Sequence, residues 1–270
     1  MSKQGSSFKD ALQNVFATSA ILIAFIVSYI LFTQIMGDPA NFEGGNPKGQ
    51  ALENNYLGII FKGGYIVPIL MTCVLTLIIF IFERAITLSR AKGKGRLNSF
   101  VSNLQGLLAQ DKIEEAMEAC DKQRGSLANV MKAGLIRYRD LQKDTGLEKD
   151  QKIMSIQKSF EEATALELPM LSKNMVIFST LASISVLIGL IGTVLGMIRA
   201  FAALAQAGAP DALALATGIS EALINTAFGI AGSLLGIVMY NFYSTQIDSF
   251  TYKIDEAGFS LVQSFAAQEK

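Results

Sequence analysis

Thr193, Glu221, Asn225 and Thr226 are polar residues set in or at the edge of largely apolar stretches of this chain. A threonine hydroxyl donates one hydrogen bond, accepts others and does not titrate at physiological pH. It can therefore hold a carboxyl group or a water through changes of protonation while its own charge stays zero. Glu221 can carry charge. A charged carboxylate in the middle of a hydrocarbon layer costs about 3 kcal/mol unless it meets a partner or a cavity. Glu221 and Asn225 are one helical turn apart and share a face. Because the polar set continues inward from Glu221, the four residues are expected to face a cavity. An interfacial, purely structural Glu221 is the plainer alternative.

Beside these residues run two stripes of glycine. Gly189, Gly192 and Gly196 follow one another at i, i+3, i+7, and Gly229, Gly232 and Gly236 repeat the spacing. Without side chains the backbones can approach closely, which is how helices associate where there is no water to drive them together. The stripes are read as helix-packing faces, for each other or for neighbouring subunits.

Other chemistry is poorly represented. The chain has no His, the commonest acid/base catalyst and metal ligand. It also lacks a nucleophile elbow, a P-loop, a dinucleotide fingerprint and a metal-ligand cluster, so no catalytic residue, metal or cofactor is expected. Cys73 and Cys120 are too few for a disulfide framework and are read as reduced structural residues. Lys+Arg and Asp+Glu balance at 23 each, which gives no footprint for nucleic acid.

The elements that must position the polar set are membrane helices. Apolar residues make up 51% and charged residues 17%, with mean hydropathy +0.38; soluble domains carry about 25% charged residues. Four uncharged runs lie between Asp10 and Asp38, Lys62 and Glu83, Lys173 and Arg199, and Glu221 and Asp248. Each suffices for a spanning helix of about 20 residues. The first follows Lys3 and Lys9 as a signal peptide would, but no convincing small-residue cleavage site follows, so it is expected to be retained.

Lys and Arg then set the orientation. Sixteen of them lie in residues 83–173, while the connections at 37–63 and 199–216 carry only Lys48, Lys62 and Arg199. The juxtamembrane cluster Arg84, Arg90, Lys92, Lys94 and Arg96 is the strongest signal. Both termini and the middle segment are therefore expected in the cytoplasm.

The 37–63 loop, with Gly37, Pro39, Gly44, Gly45, Pro47 and Gly49, reads as irregular and exposed. Lys-Gly-Lys-Gly-Arg at 92–96 ends the second crossing. A helical hairpin is expected over 97–144, with Ile113, Met117 and Cys120 inward and Glu114, Glu115 and Glu118 solvated. From Asp150 the helical pattern runs past Pro169 into the third crossing. A continuous helix of about 50 residues would reach ~75 Å, well beyond a bilayer. Pro210 suits the first turn of the fourth crossing.

The run Gly189-Leu190-Ile191-Gly192-Thr193-Val194-Leu195-Gly196-Met197 resembles the glycine–threonine signature of the ExbB/TolQ/MotA proton-channel family. The run from Gly218 through Glu221, Asn225 and Thr226 to Gly229, with Tyr240-Asn241 after it, resembles that family's second signature. Gly63-Gly64, Pro68 and Glu83-Arg84 resemble the ExbB-type first helix, and Glu115-Ala116 to Cys120 with Ala128 to Leu135 resemble its cytoplasmic hairpin, so the resemblance covers about 63–245.

By resemblance, Thr193, Thr226 and Glu221, with Asn225 beside them, would be channel-lining, Glu221 drawing cations to the outer entrance. The resemblance further implies a homo-pentamer around a dimer of an ExbD-like single-span partner that supplies a membrane aspartate. Such a complex uses proton-motive force to drive a TonB-like protein. The present chain offers one candidate membrane carboxyl, so a proton path needs a titratable group from elsewhere.

Departures from the family pattern are Val186 and Leu235, where many relatives have proline, and Asn225, where a small residue or threonine is common. The added helix at 15–36 raises the count to that of MotA-type flagellar stators. A MotA-type or gliding-type stator, or a non-conducting scaffold, is therefore the alternative.

The expected fold is all-α, an integral membrane protein of about four transmembrane helices with a cytoplasmic helical domain and long helices leaving the membrane. Its expected parts are an N-terminal segment with the extra helix (1–36), a periplasmic loop (37–63), a transmembrane helix (64–91), the cytoplasmic domain (92–173), the channel-forming pair (174–245) and a cytoplasmic tail (246–270). The expected location is the bacterial inner membrane, in contact with lipid.

Overall fold

The computed structural model describes residues 3–47, 49–142, 146–205 and 211–268, with side chains from Ala17 to Ala267. The expected turn at Pro210 and the side chains of Lys3 and Lys9 lie outside the described residues. Those described form an all-α protein, and their only β feature is an isolated bridge between Phe42 and Ala51. Four helical stretches, within Ala17–Met36, Ile66–Ala109, Lys149–Leu204 and Ala212–Ala267, are long and apolar enough to cross a membrane. The chain divides into two compact units, one of residues 1–81 and 176–240 and the other of residues 82–175 and 241–270.

In the first unit, helix α1 (Lys3–Ile30) continues into a wider turn at Leu31–Met36. Its buried side is narrow and mostly small: Ala20, Ala24, Ser28 and Phe32 recur every fourth residue. Leu22, Ile23, Ile26 and Tyr29 are exposed, an apolar surface suited to lipid. Phe32 joins Val67 and Met71 of helix α3 (Ile66–Lys92) in a small core.

The 37–63 segment is more organised than its glycine and proline content suggests. Asn41 is buried and its side-chain amide donates to the carbonyls of Ile35 and Met36 at 2.7 and 3.1 Å, closing the end of the preceding helix. Asn55 donates to Asn41 Oδ1 at 2.9 Å. Asn55 also caps helix α2 (Tyr56–Phe61) by accepting from the amides of Leu57 and Gly58. Lys62 donates to Pro47 O at 2.9 Å and lies 5.4 Å above the Phe42 ring, and its burial lowers its pKa. Side-chain amides supply the order that regular backbone ladders supply elsewhere.

The second unit departs from the expected hairpin. Three helices occupy that stretch: α4 (Leu97–Ala109), α5 (Ile113–Gln123) and α6 (Gly125–Gln142). The breaks fall where the backbone turns left-handed, at Asp111 and at Arg124-Gly125. Gly93, at φ +77°, ends α3, and the amide of Lys94 donates to Gln123 O at 2.8 Å. Ile113, Met117 and Cys120 are buried, and Glu114, Glu115 and Glu118 are exposed. Burial, with Asp121 next to it, pushes the Cys120 thiol up to about 12.

The expected continuous helix from Asp150 into the third crossing is also interrupted. Helix α7 (Lys149–Ser172) contains Pro169 without breaking there and stops at Lys173-Asn174, where Asn174 has φ 65°. Helix α8 (Met175–Leu204) then begins. Asparagine tolerates the left-handed region because its short polar side chain bonds locally. Tyr138 of α6 stacks on Phe265 of helix α9 (Ala212–Gln268) at 4.0 Å between ring centroids.

Arg84, a member of the juxtamembrane cationic cluster, is 2% exposed. It pairs with Glu83 at 2.6 Å and donates to Leu171 O at 3.1 Å, so its charge is satisfied inside the second unit.

Candidate functional site

Helices α8 and α9 lie antiparallel in the first unit, and the glycine stripes make their contact. A side chain added at Gly236 would come within 2.8 Å of Ala182 Cβ. One at Gly229 would reach Ser185 O at 2.8 Å, and one at Gly196 would reach Ala222 N and Gly218 O at 2.8 Å. Gly189 faces Gly229 and Asn225 O, Gly192 faces the Asn225 side chain, and Gly232 faces Ser185. All six sequence-selected glycines thus lie between two helices of one chain. Gly218, packed on Ala200 and Gly196, extends the seam and was not singled out. Neither helix is interrupted at Val186 or Leu235.

This seam fixes where the threonines point. Gly192 and Asn225 face each other, and Thr193 and Thr226 are the next residues on their respective helices. Each residue turns about 100° around a right-handed helix. For two antiparallel helices in contact, that step carries both side chains to the same side of the pair. Thr193 and Thr226 are therefore neighbours on one side, both half-buried, with exposed Leu190, Val194, Leu223 and Ile230 around them. The same one-residue offset places Ser179 after Phe178, Ser183 after Ala182 and Ser233 after Gly232. With Tyr240, these line an open groove on the same side. A row of hydroxyls thus runs along an otherwise apolar face.

Both threonine hydroxyls currently donate to their own helix, Thr193 to Leu190 O at 2.6 Å and Thr226 to Ala222 O at 3.2 Å. Each oxygen keeps lone pairs directed outward, so it accepts from a neutral acid or a water as it stands. To donate to an ionised carboxylate, the hydroxyl must rotate and release its backbone carbonyl. A carboxyl group placed against these hydroxyls would meet ready acceptors when protonated and donors only after rotation when ionised.

Asn225 and Glu221 are turned the other way, into the chain. Asn225 is fully buried and its amide donates to Gly63 O at 3.0 Å. Glu221 is 5% exposed and forms an ion pair with Arg199, which is half-exposed. Its carboxylate lies against Gly64, whose φ of +73° and close approach both require glycine. These two residues hold the Gly63-Gly64 turn against α9, and Glu221 does not present an open charge.

Arg199, Gly63 and Gly64 were not assigned to the site from sequence. The signal was available for Asn225 and Glu221, since both fall on the Gly218–Gly229 stripe at helical spacing, whereas Thr226 falls one residue off it. Among the described residues no cluster of His, Cys, Asp or Glu forms a metal site.

Comparison with known proteins matches residues 122–256, which include α8, α9 as far as residue 256 and both threonines, to the profile of the MotA/TolQ/ExbB proton channel family. The chain is similar to a putative biopolymer transport protein ExbB-like 3 of Synechocystis, 34% identical over 37% of this chain and 49% of that protein. It is similar to the Tol-Pal system protein TolQ of Pseudomonas aeruginosa, 25% identical over 62% of this chain and 72% of that protein. It is also similar to the biopolymer transport protein ExbB of Salmonella typhimurium, 38% identical over 27% of this chain and 30% of that protein. The matched stretch thus spans half or less of two of these three relatives.

Proposed function

The chain belongs to the MotA/TolQ/ExbB proton channel family, and from that premise we propose that it is the channel-forming subunit of an ion-driven motor in the bacterial inner membrane. The observation that carries this reading is the hydroxyl-bearing side of the α8–α9 pair, with Thr193 and Thr226 adjacent on it. An apolar face that merely met lipid would gain nothing from a row of Ser and Thr. Several copies arranged with this side inward, five on the family pattern, would enclose a pore ringed by threonines.

Such a ring suits a carboxyl group carried on another helix. When that carboxyl is protonated it donates to the threonine oxygens. When ionised it draws the hydroxyls off their backbone carbonyls. The partner is an ExbD-like single-span subunit, a dimer in the pore, and the motion is passed to a TonB-like protein outside. Glu221 and Arg199 lie near the outer end of this pair, with both termini in the cytoplasm. Asn225, Glu221 and the glycines keep the α8–α9 seam in register, and the seam in turn aims the threonines.

The added helix α1 keeps a second reading in view. It brings the number of membrane-length stretches to four, as in MotA-type stators, which would drive a rotor through residues of the second unit. Purification in mild detergent tests both. A ring of copies retaining a single-span partner with an outer domain supports the transport motor. Retention of a rotor protein supports the stator. A stable monomer or dimer with neither partner contradicts both readings.

A further inference from the structure

The second unit carries a groove of about 490 Å³ between α7 and the last turns of α9. Its floor and walls include Phe160, Leu168, Phe259 and Val262, and its charged lining residues are Glu161 and Asp255. Phe160 is buried with its ring against Gly134, so the floor is fixed. Phe259 is 66% exposed, an expensive way to leave a large aromatic ring in water. Neither Glu161 nor Asp255 forms an ion pair among the described residues. Lysine and arginine are absent from the lining, although they are as numerous as acids in the whole chain.

We propose that this groove is a docking site for a cationic amphipathic helix. The chemistry on each part of the groove names the occupant. An apolar floor receives a stripe of aliphatic side chains, as helix-in-groove recognition requires. Two exposed carboxylates on the lining call for Lys or Arg flanking that stripe and exclude acidic segments by repulsion. The α7 lining runs from Gln157 to Leu168, a length of ~17 Å that matches about three turns of a bound helix. None of its lining residues belongs to the hydroxyl row of α8 and α9, and the binding test below does not require ion conduction.

The test uses the full-length protein in a non-ionic maltoside detergent and two fluorescein-labelled peptides of about 12 residues. Both carry leucine on one helical face; one has lysine at the flanking positions and the other glutamate. Anisotropy is read against micelles alone. The lysine peptide is expected to saturate and to bind at least about tenfold more tightly than the glutamate peptide, with affinity falling as salt rises.

Two variants separate the parts of the groove. Glu161→Gln/Asp255→Asn changes exposed residues only and should weaken the lysine peptide about fivefold and flatten its salt dependence. Gly258→Leu fills the groove from a position where an added Cβ meets Phe160 at 3.7 Å and Met131 at 3.9 Å, both ordinary contacts, and should abolish binding. Equal binding of the two peptides, or an undiminished affinity in the charge variant, overturns the proposal. So does a wild-type protein that binds neither peptide while Gly258→Leu changes its oligomeric state, because the groove would then be a contact between copies.

Discussion

The side-chain amide of Asn225 donates to the carbonyl of Gly63 at 3.0 Å, across 162 residues of sequence. This bond ties α9 to the turn that begins α3 and so fixes the rotation of α9 about its axis. Because Thr226 follows Asn225 directly, fixing one side chain inward fixes the other on the open side. Orientation of the hydroxyl row is thus set by a buried amide that takes no part in it.

Removing that amide should therefore cost stability before it costs chemistry. Asn225→Ala strips the buried Gly63 carbonyl of its donor and leaves space beside Gly192, an expected loss of about 1–3 kcal/mol. Thermal unfolding in detergent reads it as a lowered midpoint. An unchanged midpoint would mean that the bond is not formed in the membrane protein.

Glycine at 192 and glycine at 106 make opposite predictions. A Cβ at Gly192 would meet Asn225 Cβ at 2.5 Å, so Gly192→Ala must push α8 and α9 apart, at about 1–3 kcal/mol. Gly106, inside α4, has nothing within 4 Å of the added atom, and Gly106→Ala should stabilise by about 0.5–1 kcal/mol through helix propensity. Paired melting curves of the two variants check the sign of each.

Arg199 and Glu221 form a pair with one end buried and one end half-exposed. Arg199→Ala leaves the buried carboxylate without its cation and should cost about 2 kcal/mol, less than a fully buried pair because water reaches the arginine end. Adding Glu221→Gln to it should restore part of that loss, since the stranded charge is gone. A double-mutant cycle with no coupling would show that Glu221 is held by something other than Arg199.

Cys120 should resist alkylation in the folded protein. Its thiol is buried and pushed up to about 12, so the reactive thiolate is scarce at neutral pH. Raised above the usual thiol value in the folded state, it contributes its full stabilisation below pH ~9 and loses it progressively as pH rises toward about 12. A maleimide should label the native protein slowly and the unfolded protein fast. Rapid native labelling would contradict the buried position.

The crossings were legible because charge is simply absent from them, and the packing seam because glycine repeats at helical spacing. The facing of single residues was harder. Asn225 and Thr226 look alike as polar residues in an apolar run, yet they differ by 100° around α9, and only the glycine stripe tells which of them is inside. Glu221 read as an open charge because its partner Arg199 is 22 residues away, across the connection to α8.

The break at Lys173-Asn174 carries neither Gly nor Pro, and nothing short of the left-handed backbone at Asn174 reveals it. In the 37–63 loop the glycines drew attention, while the order comes from Asn41 and Asn55, which act through side-chain amides that no periodicity records. Arg84 counted toward orientation as a charge, but its burial depends on Leu171 O, a backbone acceptor that composition cannot show.

In the proposed function, Thr193 and Thr226 act through their hydroxyls on a carboxyl group passing between protonation states. Thr→Val keeps the shape and removes the hydroxyl, so the double variant Thr193→Val/Thr226→Val should fold, assemble and retain its partner. The measurement is proton-motive-force-dependent uptake in the native host, read together with partner retention. The account predicts an intact complex with uptake reduced by at least about tenfold, the loss of roughly 1.4 kcal/mol or more of stabilisation along the path. Uptake at the wild-type rate from an intact complex would contradict it.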